Sequence, residues 1–360
     1  MKERIRSLDF FRGLTMFLLI GESTLLYEHF RDPRLAGTVL GFIGTQLDHH
    51  PWAGLRFWDL VQPFFMFIVG AALAFSVAKR EEQGDSRAAI TKHVIIRSVT
   101  LLVLGWALYC IGPGHITFRF QNVLAQLGLT YPIAYVLMRR KPRTQIAWSL
   151  AFILATEIIY RTFWLAGYNQ PFVPDHNFGS WVDMLLGGEL SAGHWVAFNA
   201  LPTAAHTVWG VLAGQWLMRP AAPEKKIAWL AGLGAFGVAA GFALTAVSPM
   251  IKRISTGSFV VAGGGFCLLM LAFSYWLIDV RKWNKWAVFL NVVGMNSLFI
   301  YLFTESGGTT WIRSLAFPFT IAFAPWTGEL AGEILTSLAA WAMLWYLCWW
   351  LYKKKIIIKI

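Results

Sequence analysis

The sequence predicts an all-α, polytopic integral membrane helix bundle, and three observations carry that prediction. Of 360 residues, 57% are hydrophobic and only 14% charged, against roughly 25% charged in an ordinary soluble domain. Apolar stretches of about 20 residues, the length that crosses a bilayer as a helix, recur along the chain. Lys and Arg crowd alternate connections between these stretches and are sparse in the others, as expected of cytoplasmic and external loops. This composition excludes a disordered chain, a collagen-like repeat and a coiled coil. The 19 Trp and 28 Phe suit a chain that meets lipid interfaces many times. Cys110, Cys267 and Cys348 all sit in apolar runs with no metal-ligand spacing, and are expected to be small core residues.

About ten spans follow from the apolar stretches: 9–28, 58–78, 93–112, 119–138, 146–165, 199–218, 227–247, 257–279, 286–304 and 334–352. Lys2, Arg4 and Arg6 precede the first, but Asp9 and Arg12 interrupt it and no small-residue cleavage site follows. It is therefore expected to be an uncleaved first helix rather than a signal peptide. Basic clusters recur at Lys79, Arg80, Arg87 and Lys92, at Arg139–Arg143, at Arg219, Lys225 and Lys226, at Arg281, Lys282 and Lys285, and at Lys353–Lys355 with Lys359. The facing segments hold only scattered cations such as Arg31, Arg56, Arg119 and Arg313. This bias places both termini in the cytoplasm, in keeping with an even number of helices. It also accounts for the net charge of +12 without a nucleic-acid partner. The external segments 29–57, 166–198 and 305–333 are long, and 166–198 has no Lys or Arg but contains Asp175, His176, Asp183, Glu189 and His194. Long segments of this kind often serve function. The whole chain, 1–360, is expected to be one membrane domain.

Polar groups inside apolar spans are costly and point to function or pairing. Asp9 and Arg12, three apart, share a helix face; they suit either an ion pair or a site for anionic phosphates near the helix N-terminus. Between the first two spans stands His49-His50-Pro51-Trp52-Ala53-Gly54, followed by Trp58-Asp59 and then Pro63. A histidine at the mouth of a bundle can exchange protons near neutral pH, and Asp59 can orient that imidazole or cap its helix. Pro63 breaks the backbone ladder, which fits a helix bordering a cavity. Asn122 and Gln126, four apart, suit interhelical hydrogen bonding or ligand contact. Asn296, Tyr301 and Glu305 form a polar stripe in an apolar helix, fitting a cavity wall or simple packing. Glu22 is a further candidate for the same cavity. Glu157 lies deep in the fifth span without an evident partner, and His206 is ambiguous between core and site.

Taken together, Arg6-Ser7-Leu8-Asp9-x-Phe11-Arg12-Gly13-Leu14-Thr15, His49-x-x-Trp52-x-Gly54, Asp59-Leu60-Val61-x-Pro63-x-x-x-Phe67-Ile68-Val69-Gly70 and Gly294-Met295-Asn296-Ser297-x-x-x-Tyr301 resemble the heparan-α-glucosaminide N-acetyltransferase family of transmembrane acyltransferases. The resemblance implies that acetyl-CoA, as co-substrate, donates from the cytoplasmic side to an amino sugar on the other. It matches the family's active-site histidine to His49 rather than His50, and its cytoplasmic Asp-x-x-Arg start to Asp9 and Arg12. Two departures stand out. Gly21-Glu22-Ser23 replaces a stretch with an asparagine near the end of the first span, and Ala125-Gln126 replaces a glutamine-arginine pair.

The chemistry fits these residues. Arg12 and Arg97 suit the phosphates of CoA, since the guanidinium fork makes charge-assisted bonds. A thioester is already activated, so neither a metal nor ATP is expected. His49 is placed to act as a base towards the acceptor or to carry the acetyl group itself. Asn296, Asn122 or Gln126 are candidates to stabilise the developing oxyanion, a role worth about 3 kcal/mol. The expected partners are the bilayer, acetyl-CoA and an amino-sugar or glycan acceptor, with a homodimer permitted by exposed helix faces. A bacterial inner membrane is the expected location. The alternative from another class is a sugar or small-solute transporter without acyl transfer, which buried polar groups and broken helices also suit.

Overall fold

A computed structural model describes residues 5–358; Lys2, Arg4 and Lys359, counted above among the cytoplasmic charges, lie outside the described residues. The helices in chain order are α1 (Arg6–Ser23), α2 (Leu26–His29), α3 (Val39–Gln46), α4 (Val61–Glu82), α5 (Arg87–Ile111), α6 (Val123–Leu137), α7 (Pro142–Thr162) and α8 (Phe178–Gly187). They continue with α9 (Ala200–Leu217), α10 (Pro223–Ala243), α11 (Gly257–Ser274), α12 (Ala287–Met295), α13 (Ser297–Phe303), α14 (Thr309–Ile321), α15 (Ala324–Thr327) and α16 (Glu329–Lys353). Among the described residues there is no sheet, only an isolated bridge between Ala53 and Ile251.

Five helical segments are long and apolar enough to cross a membrane by length and composition: Phe57–Glu82, Arg87–Ile111, Pro223–Ala246, Gly257–Val280 and Glu329–Lys353. A sixth counts if Ala287–Met295 and Ser297–Ile321, bent by 71° at their junction, form one broken span. The expected straight span at 286–304 is thus interrupted, because Asn296 leaves helical geometry (φ −115°, ψ 35°). The segment 305–333, expected to be a loop, is largely helical in α14 to α16. Its apolar residues Trp311, Ile312, Leu315, Ala316 and Phe319 repeat at helical spacing. The expected span at 119–138 shortens to the 15 residues of α6, with Asn122 as its N-cap, so Asn122 and Gln126 do not lie on one helix face.

The chain divides into two compact units interleaved in sequence: one of Met1–Leu8, His50–Leu55 and Gln62–Trp276, the other of Asp9–His49, Arg56–Val61 and Leu277–Ile360. In the first, small residues let helix backbones approach closely, the usual device where lipid supplies no hydrophobic drive to association. A Cβ on Gly70 of α4 would strike the Thr207 carbonyl, and one on Gly210 of α9 would strike that of Phe67. Likewise Gly241 of α10 lies against Ala262, and Gly265 of α11 against Val238. Helix α9 is enclosed by protein along most of its length, and its polar groups find partners there. Thr207 bonds Thr130 at 3.1 Å, Gln215 donates to the Met138 carbonyl at 2.7 Å, and the fully buried His206 bonds the Val260 carbonyl at 2.8 Å. That makes His206 a core residue. Glu157, which had no evident partner in the sequence, accepts from the Ser248 hydroxyl at 2.6 Å and from the Gly257 backbone N–H at 2.8 Å. It therefore caps α11 across a separation of 100 residues.

Outside the spans, α8 forms the middle of the 166–198 segment of this unit. Asn177 caps it through the Ser180 N–H at 3.1 Å, and Gly188 ends it in the left-handed conformation. Asp183 on α8 is buried, and accepts the Ala197 N–H at 3.0 Å. Burial nevertheless pushes its carboxyl up from 3.8 to about 6, the Ala197 bond opposing that rise.

In the second unit α1 packs on α12, with Gly13 and Gly294 each lying against backbone of the other helix. Trp341 of α16 stacks on Phe17 at 4.4 Å and donates its indole N–H to the Phe17 carbonyl at 3.1 Å. Arg313 of α14 ties three elements together. It donates to the Thr24 carbonyl, to the Ser337 hydroxyl at 2.8 Å and to Glu333 at 3.1 Å.

Two outcomes follow from these contacts. Gly210→Val is expected to lower the thermal midpoint of the detergent-solubilised protein, since overpacking a tight seam costs about 1–3 kcal/mol. Gly232→Val, with nothing within 4 Å of the new Cβ, is expected to leave it nearly unchanged, and equal effects would dissolve the seam argument. Asp183 binds its proton more tightly in the folded than in the unfolded chain, so its contribution to stability is fully present below pH 3.8. That contribution is lost as pH rises through about 6. Thermal melts of wild type and Asp183→Asn between pH 4 and 7 are expected to diverge, wild type losing relative stability as pH rises. Parallel curves would refute this.

Candidate active site

The second unit brings His49 and Asp59 together. Helix α3 is capped by Thr38, whose hydroxyl accepts the Gly41 N–H at 3.2 Å, and it ends at Gln46. The chain then runs through Asp48 and His49. After the intervening stretch it re-enters the unit at Arg56 and forms a 3-10 turn, Phe57–Leu60, that leads into α4. Arg56 is the N-cap of that turn and Asp59 its third residue. A carboxylate at that position reaches back to the N-cap N–H: Asp59 Oδ2 accepts the Arg56 backbone N–H at 2.9 Å. Its other oxygen, Oδ1, lies 3.1 Å from Nδ1 of His49. Asp59 is 1% exposed, whereas the His49 side chain is 28% exposed. One carboxylate thus both caps the turn and holds the imidazole.

Four further bonds fasten the stretch that carries His49. The Arg56 guanidinium donates to the His49 carbonyl at 3.0 Å and to Asp48 at 3.0 Å. Arg31 donates to the same Asp48 oxygen at 2.9 Å. Gln46 accepts the Phe57 N–H at 3.3 Å. Beside the turn, the buried Trp58 donates its indole N–H to Glu22 at 2.5 Å and meets Tyr27 edge-on at 5.2 Å. Tyr27 in turn donates to the Leu18 carbonyl at 2.9 Å. The Glu22 flagged in the sequence is therefore held by the residue next to Asp59.

With Nδ1 facing a carboxylate, the neutral imidazole carries its hydrogen there and presents a lone pair at Nε2. Such an arrangement can take a proton from a group that approaches Nε2, and the carboxylate stabilises the resulting cation. It can equally offer Nε2 as a nucleophile.

The other sequence candidates are distributed as follows. Asp9 and Arg12 pair on α1 in the second unit, with guanidinium and carboxylate 3.8 Å apart and both partly exposed. Tyr301 is nearly buried on α13. Asn296, fully buried at the break between α12 and α13, donates to the Ile356 carbonyl at 3.0 Å and accepts the Ile358 N–H at 2.9 Å. It pins the chain's C-terminal segment. Arg97, Asn122 and Gln126 belong to the first unit. The Arg97 guanidinium lies over the Tyr131 ring, 5.1 Å from its centroid. Asn122 accepts the Ala125 N–H at 3.0 Å and donates to the Gly105 carbonyl at 2.6 Å. Gln126 accepts from Gln62 and donates to the Gln121 carbonyl at 3.2 Å. Asn122 and Gln126 thus serve as helix cap and interhelical link.

Sequence reasoning counted Arg56 only as a scattered external cation and passed over Asp48. The signal for Arg56 was its spacing, three residues before Asp59, which is that of an N-cap and the carboxylate that answers it.

No family model matches the chain. It is 25% identical to the human heparan-alpha-glucosaminide N-acetyltransferase over 430 aligned positions, which cover 99% of this chain and 60% of the human protein. The mouse protein of the same name is also 25% identical, over 432 positions with the same coverage. The chain therefore spans about 60% of the length of the curated relatives it matches. An alignment that runs through nearly every helix described above makes this chain a distant relative of the heparan-alpha-glucosaminide N-acetyltransferase family.

Proposed function

We propose that the chain is a transmembrane acetyltransferase that moves an acetyl group from cytoplasmic acetyl-CoA to an amino sugar, or a sugar hydroxyl, on the outer side of a bacterial inner membrane. The observation that carries this reading is the His49–Asp59 pair, 3.1 Å apart with the carboxylate buried. It is supported by the relatives' name, which states N-acetyl transfer to an α-glucosaminide. About ten spans with both termini in the cytoplasm remain the topology that the Lys and Arg distribution favours.

In this reaction Nε2 of His49 takes a proton from the acceptor amine while the amine nitrogen bonds to the acetyl carbon. Asp59 stabilises the imidazolium across Nδ1. The same proton then passes to the CoA sulfur as the carbon–sulfur bond breaks, so the imidazole ends neutral. A base placed in this way contributes about 10²–10⁴-fold. Arg12, with Asp9 steadying it, is proposed to bind the CoA phosphates, a task suited to a guanidinium fork.

His49→Ala is expected to reduce acetyl transfer from radiolabelled acetyl-CoA to glucosamine by at least about 10²-fold, with folding and CoA binding retained. His50→Ala should be milder. Turnover by His49→Ala at the wild-type rate would refute the assignment. Arg12→Ala should weaken acetyl-CoA binding in calorimetry by about tenfold or more, as expected for a lost charge-assisted bond. Unchanged affinity would leave Arg12 as the structural partner of Asp9 alone.

A further inference from the structure

A second imidazole in the first unit is held by a carboxylate in the same way as His49. His194 Nδ1 lies 2.7 Å from Asp175 Oδ2, with 35% and 30% of the two side chains exposed. Both residues have left-handed backbone, φ 62° at Asp175 and 59° at His194, a conformation that Asp and His adopt more readily than most residues. The stretch bearing His194 is held by its neighbours. Arg253 donates to the Gly193 carbonyl at 2.7 Å, and Arg253 and Lys252 both lie over the Trp195 ring. Trp52 meets the His194 ring at a right angle, 6.1 Å between centroids. Its indole N–H donates to the Phe172 carbonyl at 2.7 Å, and its neighbour Ala53 bridges Ile251.

We propose that Asp175, His194 and Trp52 form the subsite that receives the acceptor amino sugar, an inference that rests on the acetyltransferase reading above. Asp175 fixes the hydrogen on Nδ1, so Nε2 of His194 offers a lone pair to an ammonium or hydroxyl hydrogen of the sugar. Trp52 supplies an apolar wall of the kind sugar rings pack against. Of the carboxylates in the segment 166–198, Asp175 and Glu189 lie outside the interior, and Asp175 is the one that holds His194.

The test uses the full chain in nanodiscs, with glucosamine as the probe. His194→Asn keeps a donor towards Asp175 and tolerates left-handed backbone, but lacks the Nε2 lone pair. It is expected to raise KM for glucosamine about tenfold, to leave KM for acetyl-CoA unchanged and to abolish the thermal shift that glucosamine gives without acetyl-CoA. Asp175→Asn, which frees the imidazole to turn, should weaken glucosamine in the same direction and serves if His194→Asn does not fold. A glucosamine KM within twofold of wild type in both variants, or a retained thermal shift, overturns the subsite. Wild-type protein that binds glucosamine but transfers no acetyl group would sink the acetyltransferase reading while His194→Asn still decides the subsite. No glucosamine shift in wild type overturns the subsite whatever the activity.

Discussion

A carboxylate withdrawn from water must find N–H partners, because a buried charge left unpaired costs more than the bond it would have made. Asp59, 1% exposed, meets this constraint with one oxygen on the Arg56 backbone and the other on His49. The first bond orders the turn that starts α4. The second orients the imidazole. Both act through one side chain, so helix start and ring orientation are coupled, and loss of either partner exposes the other to the same penalty. Arg56 adds a third constraint by holding the His49 carbonyl and Asp48. The proposed base is therefore positioned by the requirement that α4 begin correctly.

The same rule recurs wherever a polar side chain enters the apolar body. Glu157 caps α11, Asn122 caps α6, and Asn199 donates to the Arg253 carbonyl at 2.7 Å. Asn296 answers two backbone groups of the C-terminal segment. In each case a side chain satisfies peptide groups that a helix end or irregular stretch leaves open, as a low-dielectric surrounding demands. The polar residues that looked most like ligand contacts in the sequence, Asn122, Gln126 and Asn296, are among those with such duties. His49 and His194 differ from them. Each has one ring nitrogen on a carboxylate and a partly exposed side chain.

What was legible in the sequence follows from range. The all-α class came from local apolar periodicity, and each expected span overlaps a helix, although five segments, or six with the bent pair, are long and apolar enough to cross a membrane. The pairing of His49 with Asp59 was also readable, because the two lie ten residues apart and the intervening stretch turns back on itself. The ion pair of Glu157 with Arg161, 3.2 Å apart, follows the i,i+4 spacing of one helix. The Ser248 and Gly257 partners of Glu157 and those of Asn296, by contrast, lie 60 to 100 residues away, and no local pattern encodes them. The break at Asn296 escaped detection for the same reason. Its neighbours Gly294, Met295 and Leu298 are apolar enough to read as continuous span, and the departure from helix coincides with bonds to a distant segment. The helicity of 309–321 was missed because its external position suggested a loop, although its apolar spacing was helical.

The tautomer of His49 tests the proposed base most directly. Nitrogen NMR of ¹⁵N-histidine-labelled protein, with His49→Asn supplying the assignment, reports which ring nitrogen bears hydrogen in the neutral form. Hydrogen on Nδ1 and a bare Nε2, with the distinction blurred by Asp59→Asn, is the expected result. Hydrogen on Nε2 in the wild-type protein, or a spectrum indifferent to Asp59→Asn, would contradict it.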